Sequence, residues 1–409
     1  MLANGVRVIH APSINPDLVR ITLHFSGGIQ NETPSSNGIG QLAAELVGKK
    51  VMGMTRDHYQ QVFEQHGARM SASLSHNAWV YSLVAPRDSA KKLVPLFLKG
   101  ITHFDCDDAL FEEIKTQLLQ RIDKKNEDWF AQAFDVLKAN VVMPPFSLPL
   151  TGTRTSVDGL QKDNVQAYIK QQWEQSDLII GIQAEDSSEL FNYMLPTLKK
   201  RKKGMPVQFS LLTFQVPTQS AHVLEQQVGA VLRVDPLTQP IDSLRDHIKL
   251  KLVDALLSGM RYPSGLLHQR LRGAQLVYVV HAVPVQWGDS NMLLTYALTE
   301  PHQVNRVADI IRGSVDDIKH GFTDMQLADA KSQVMFDYAS LHADMGTQMG
   351  TLIQSLKQFN NLPTIEEFKG ELDAITKDEL QLFMKRQWHL FYEFQFNPSA
   401  SDDRTIGVR

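Results

Sequence analysis

Hydrolytic chemistry needs an activated nucleophile, and few residues in this sequence are spaced to make one. A single helix can hold a metal between two imidazoles one turn apart, with a glutamate beside them to take the proton of the bound water. None of the fourteen histidines has another four residues away, and none is followed directly by glutamate. His58 and His66 are eight apart, with Gln61 and Val62 between them, and His76 falls in a strand-like stretch. Scattered histidines of this kind are ordinarily surface or hydrogen-bonded core residues, and only a site built from distant segments would use them. Pro263-Ser264-Gly265 opens a helix but lacks the Gly-x-Ser-x-Gly elbow of a serine nucleophile. The one cysteine, Cys106, lies in Asp105-Cys106-Asp107-Asp108, where neighbouring carboxylates should raise its pKa and blunt it as a nucleophile. One cysteine also excludes a disulfide framework and a multi-cysteine zinc site. No phosphate-cradling glycine loop or dinucleotide fingerprint occurs.

The chain that must position any site has 409 residues, enough for two or three domains. Its 43% hydrophobic and 21% charged residues fit a globular protein. A net charge of −4 leaves no global basic field for nucleic acid. The dense basic run, Lys199 to Lys203, reads as a helix end or a solvated linker. No apolar run approaches the ~20 residues that span a bilayer, so no membrane span is expected. Met1-Leu2-Ala3-Asn4-Gly5 leads straight into a strand pattern, with no signal peptide visible. That fits a cytoplasmic protein, or a periplasmic one whose signal has been removed.

Strand patterns at Val6–His10 and Leu18–Phe25 open the chain. Ser36 or Asn37 can cap a helix from Ile39 to about Val47, and a second helix runs from Thr55 to Gly67. A hairpin at Met70–Leu74 and Ala78–Ala85 precedes helices at Asp88–Thr102 and Asp107–Val141, the latter stopped by Pro144-Pro145. Helix, strand and helix follow at Val165–Trp173, Leu178–Gln183 and Ser187–Leu198. After a boundary at Met205-Pro206 the order repeats. Strands at Gln208–Val216 and Val228–Val234 lead to a helix at Ile241–Leu257 and a short one at Leu266–Leu271. Strands at Leu276–Val283 and Met292–Leu298 then precede helices at His302–Lys319, Asp324–Phe359 and Lys377–Trp388. The expected fold is α+β: two tandem similar domains, residues 1–205 and 206–409, each a mostly antiparallel sheet packed with helices.

This layout resembles the insulinase, pitrilysin and mitochondrial processing peptidase family of zinc metallopeptidases. Leu2-Ala3-Asn4-Gly5-Val6-Arg7-Val8 is similar to the family's start. Ser26-Gly27-Gly28 and Asn37-Gly38-Ile39-Gly40-Gln41-Leu42 resemble its glycine turn and following helix. Leu150-Thr151-Gly152-Thr153 and the segment Leu160–Gln172 resemble the loop and helix closing its first domain. Leu271-Arg272-Gly273-Ala274-Gln275-Leu276-Val277-Tyr278 resembles the Leu-Arg … Gln-Leu-x-Tyr segment near the substrate in its last domain. The resemblance covers nearly the whole chain and implies one half of a clamshell.

Active members carry His-x-x-Glu-His on a helix of the first domain, with a third ligand, a glutamate, on a later helix. The resemblance places Gln41 at the first histidine, Ala44 at the base and Glu45 at the second histidine. Arg121 aligns with the third ligand, with Gln120 one residue away. Gln is a poor zinc ligand, Ala44 cannot take a proton, and Arg121 brings a fixed positive charge. No metal or other cofactor is therefore expected in this chain; zinc would belong to a catalytic partner. Gln41 and Glu45 can be an ordinary exposed helix pair, or Glu45 can pair with Arg121 across the old site.

The same resemblance implies that Arg272 and Tyr278 reach substrate backbone near the scissile bond, as donors to a carbonyl that gains charge. Alternatively Arg272 satisfies the last carbonyls of a helix and Tyr278 packs in the core. The Arg-to-Tyr spacing is one residue shorter than the family's, and a shift of register would move the role to Arg270. The function expected is a non-catalytic subunit or half of a zinc endopeptidase. It would bind peptide, partly by strand addition to a sheet edge, and complete the chamber of a catalytic insulinase-type half, or form homodimers. The alternatives are a scaffold or assembly subunit with no part in proteolysis, and an autonomous peptidase with an unrecognised site.

Overall fold

The computed structural model describes residues 1–125, 128–205, 207, 212–214, 228–259, 265–341, 343–396 and 406–408. Along the chain come β1 (Arg7–Ala11), β2 (Leu18–Ser26), α1 (Ile39–Leu46), α2 (Arg56–Gln65), β3 (Arg69–Leu74) and β4 (Ala78–Pro86). They are followed by α3 (Arg87–Thr102), α4 (Asp108–Lys125), α5 (Trp129–Val141), α6 (Arg154–Gly159), α7 (Lys162–Gln175), β5 (Leu178–Gln183) and α8 (Ser187–Lys199). Next are β6 (Gly229–Pro236), α9 (Leu244–Leu257), β7 (Val277–Trp287), β8 (Ser290–Thr299), α10 (Val304–His320) and α11 (Asp324–Leu341). The chain closes with α12 (Met345–Phe359), α13 (Ile365–Ala374), α14 (Lys377–Gln387), β9 (Tyr392–Phe396) and β10 (Ile406–Val408).

These elements form two compact units, each α+β. The first contains Met1–Asp128, Pro144–Phe209 and His342–Ile353. Its sheet has the order β1-β5-β2-β4-β3; β1 and β5 are parallel and the other pairs antiparallel. β5 is buried along its whole length, which accounts for its run Leu178-Ile179-Ile180. Ile21, Leu23, Phe25, Trp79, Tyr81 and Leu83 form the core with Leu93, Val94 and Phe97 of α3.

The second unit contains Trp129–Met143, Ser210–Leu341 and Gln354–Arg409. Its sheet runs β10-β9-β6-β8-β7, with every described pair antiparallel. Val231, Val280, Ala282 and Ala297 on the sheet meet Ile248, Leu252 and Val253 of α9 and Val307 and Ile311 of α10. Tyr338 of α11 stacks on Phe368 of α13 with centroids 3.7 Å apart.

Several expectations are corrected. The helix drawn from Asp107 to Val141 is two helices, because its apolar stripes are buried in different units. Leu110, Ile114, Leu118 and Ile122 of α4 pack in the first core, whereas α5, with Ala133 and Leu137 buried, belongs to the second unit. The helix drawn from Asp324 to Phe359 also breaks. Asp344 starts α12 by accepting from the Thr347 N–H at 2.7 Å. Neither Ser36 nor Asn37 caps α1; the preceding residue is Gly38, in the left-handed region. Short α6, the helix α13 and the closing strands β9 and β10 were missed. Cys106 is pushed up to about 11, but by burial first and only then by Asp107. Most of the strand expected at Gln208–Val216, the boundary residue Pro206 and the segment Met260–Ser264 lie outside the described residues.

Candidate functional site

The helix bearing Gln41, Ala44 and Glu45 is held at its start by a carboxylate that the sequence reading passed over. Glu32, only 4% exposed, accepts from Asn37 Nδ2 at 2.9 Å, the Gly38 N–H at 2.8 Å and the Gly40 N–H at 3.0 Å. It therefore satisfies donors that a helix start leaves without partners. Burial pushes the Glu32 carboxyl above its ordinary range, and the three hydrogen bonds pull it back only in part. Gly38 has φ +93, and a Cβ there would lie 2.6 Å from Val157 Cγ2 and 3.0 Å from the Gly152 Cα. Gly152, itself at φ +80, meets Gly38 backbone to backbone. The two glycine motifs of the sequence thus describe one close crossing that sets the entry of α1. Trp79 adds a hydrogen bond from Nε1 to the Gly40 carbonyl at 3.1 Å.

On α1, Gln41 Nε2 donates to Glu45 Oε1 at 2.8 Å. Arg121 of α4 makes an ion pair with the same oxygen. Ala44 is buried on the same helix. The structure brings Gln41, Glu45 and Arg121 together, but as a closed charge-neutral cluster. Its one carboxylate already receives two donors, the guanidinium cannot lose its proton, and no side chain at position 44 can act as a base. These residues do not fit a zinc ion, which takes imidazole, thiolate or carboxylate ligands. Among the described residues no group of three or more His, Cys, Asp or Glu side chains is placed to hold a metal.

Arg272 and Tyr278 belong to the second unit. Arg272 ends a wide helical turn, His268–Arg272. The Gly273 N–H bonds to the His268 carbonyl at 3.0 Å, and the Leu276 N–H to the Leu271 carbonyl at 2.9 Å. Gln275, at φ +57, then swings the chain into β7. Tyr278 is 60% exposed, so it is not a core aromatic. It sits where the pairing of β7 with β8 slips between Val277 and Val279, an irregularity of the kind that re-aims a side chain. Arg272 is exposed and forms no ion pair with any described residue. Arg270 is engaged elsewhere, with Asp317 at 2.7 Å and Ser314 Oγ at 3.3 Å. A free guanidinium and an exposed phenol can both donate to a carbonyl oxygen.

Both places fall within stretches that match known families. Residues 7–154 match the family model described as insulinase, peptidase family M16, and residues 159–334 match the one described as the peptidase M16 inactive domain. A Bacillus subtilis protein described as an uncharacterized zinc protease, YmxG, is 19% identical over 381 residues, 92% of each chain. A Pseudomonas fluorescens structure described as a peptidase M16 inactive domain superposes with a TM-score of 0.82 at 16% identity, covering 98% of each chain. The periplasmic protease PqqL of Escherichia coli gives 0.81 at 15% identity; this chain is covered to 97% but spans only 45% of that one. At these identities the solved structures attest the fold.

Proposed function

The chain belongs to the M16, or insulinase, family of peptidases, and from that premise we propose that it is a non-catalytic member, a subunit or half that binds peptide and completes the chamber of a catalytic partner. The observation that carries this reading is the closed cluster on α1 and α4. Arg121 sets its positive charge against Glu45, and Ala44 stands where a base would be needed. Zinc would then be the partner's. Arg272 and Tyr278 support a role in trans, since exposed donors on a rigid turn and strand suit a substrate carbonyl. β7 ends its sheet, so its outer edge can take an extended peptide as an added strand. Such a task requires a large interface with the partner half or with a second copy.

The test is to purify the chain with its native associates and to assay peptide cleavage with and without a chelator. Activity in the complex, absent from each isolated component and lost with the chelator, supports the proposal. No associate and no activity would sink it. Within an active complex, Arg272→Ala or Tyr278→Phe should lower kcat/KM by about a hundredfold if the residue donates to a developing oxyanion. Unchanged kinetics would favour a subunit that serves assembly alone.

A further inference from the structure

We infer that His268, His281 and Arg272 form a receiving site for a carboxylate of the bound peptide, at its C-terminus or on an acidic side chain. The inference rests on the peptide-binding reading of Arg272 and Tyr278 and names the chemistry that those residues serve. His268 heads the wide turn and is 5% exposed, yet among the described residues neither of its ring nitrogens has a hydrogen-bond partner. Its ring meets that of His281 on β7 edge to face, centroids 5.8 Å apart, and among the described residues His281 Nδ1 also lacks a partner. Arg272 follows His268 by four residues, about one turn later on the same wide helical turn.

Buried polar nitrogens without a partner are rare in native proteins, and two touching rings sharing that condition point to something the site receives. The charge balance says what it is. The turn contributes Arg270 and Arg272, β8 contributes Tyr296 at 5.5 Å from His281, and α10 contributes Asp317, already held by Arg270. Among the described residues no carboxylate pairs with Arg272 or with either imidazole. A metal cation would face the guanidinium, whereas a carboxylate supplies acceptors to the guanidinium and to one N–H of each neutral imidazole. Burial, and then neighbouring positive charge, lowers both histidines below their ordinary range, so both rest neutral at neutral pH. An anion held beside them favours their protonated forms, so binding should take up protons and tighten as pH falls.

The experiment uses the full chain and a labelled peptide in four versions: free-acid or amidated C-terminus, each with an internal aspartate or asparagine. Affinity is read by fluorescence anisotropy between pH ~5.5 and ~7.5, the range in which imidazoles titrate. One carboxylate should be preferred by about tenfold, as a charge-assisted contact warrants. The preference should grow toward acid and vanish in His268→Asn. Which version is favoured tells a C-terminal carboxylate from a side-chain one. Equal binding of all four overturns this site alone; binding of none overturns the peptide-binding reading as well. If His268→Asn does not fold, imidazole titration by NMR in the unaltered chain decides. The free-acid peptide should raise both pKa values, and an equal rise with inorganic phosphate alone would overturn the assignment to peptide.

Discussion

Glu32→Ala tests how α1 is held. The substitution removes a carboxylate that accepts three hydrogen bonds while only 4% exposed. Asn37 Nδ2 keeps a second acceptor, the Pro149 carbonyl at 3.0 Å, so its loss is small. The Gly38 and Gly40 N–H groups would be left inside without the acceptor they use. An orphaned buried donor costs ~1–3 kcal/mol, so two give about 2–6 kcal/mol. Urea unfolding followed by fluorescence reads this locally, because buried Trp79 bonds to the Gly40 carbonyl. A loss under ~1 kcal/mol would refute the claim that this carboxylate organises the helix start. The pH dependence gives a second check. Because burial raises the Glu32 carboxyl in the folded state, its contribution is fully present below the unfolded carboxyl pKa and is lost as pH rises through the folded one. Glu32→Gln should flatten that part of the profile, and an unchanged slope would count against the assignment.

Three further outcomes are expected. A double-mutant cycle on Glu45→Ala and Arg121→Ala should give a coupling of about 0.5–1 kcal/mol that shrinks in high salt, because Arg121 is half-exposed; zero coupling would remove the pair as the successor to a metal. Asp254 on α9 is pushed up to about 7, by burial first, so stability should fall as pH rises from ~4 through 7 at up to ~1.4 kcal/mol per unit, and Asp254→Asn should abolish that slope in denaturation measured across the range. Gly38→Ala should destabilise the first unit by at least the ~1–2 kcal/mol of a left-handed alanine, with the crowding against Gly152 added, and a melting temperature within a degree or so of the parent would contradict the backbone crossing described.

Chain-local information was legible where one stretch sufficed to encode it. Thr55 before α2, Gly67 after it, and the hairpin of β3 and β4 follow from capping and alternation, which act over a few residues. α13 was equally legible, since Thr364 and Glu367 form a full capping box, but it was passed over. So was Asp344, the start signal that divides α11 from α12. Residue chemistry alone also fixed the character of the helix at Gln41–Glu45: amide, methyl and a lone carboxylate cannot ligate zinc and activate water. Only tertiary structure could show that Arg121, seventy-six residues away, shares one oxygen of Glu45 with Gln41. The same holds for Glu32, an unremarkable acid in a loop until folding buries it beneath three donors. It holds again for His268 and His281, brought edge to face from a turn and a strand with ring nitrogens that no described residue meets. Capping and periodicity are short-range and so are written in neighbouring letters; burial, desolvation and charge pairing depend on which distant segments the core brings together.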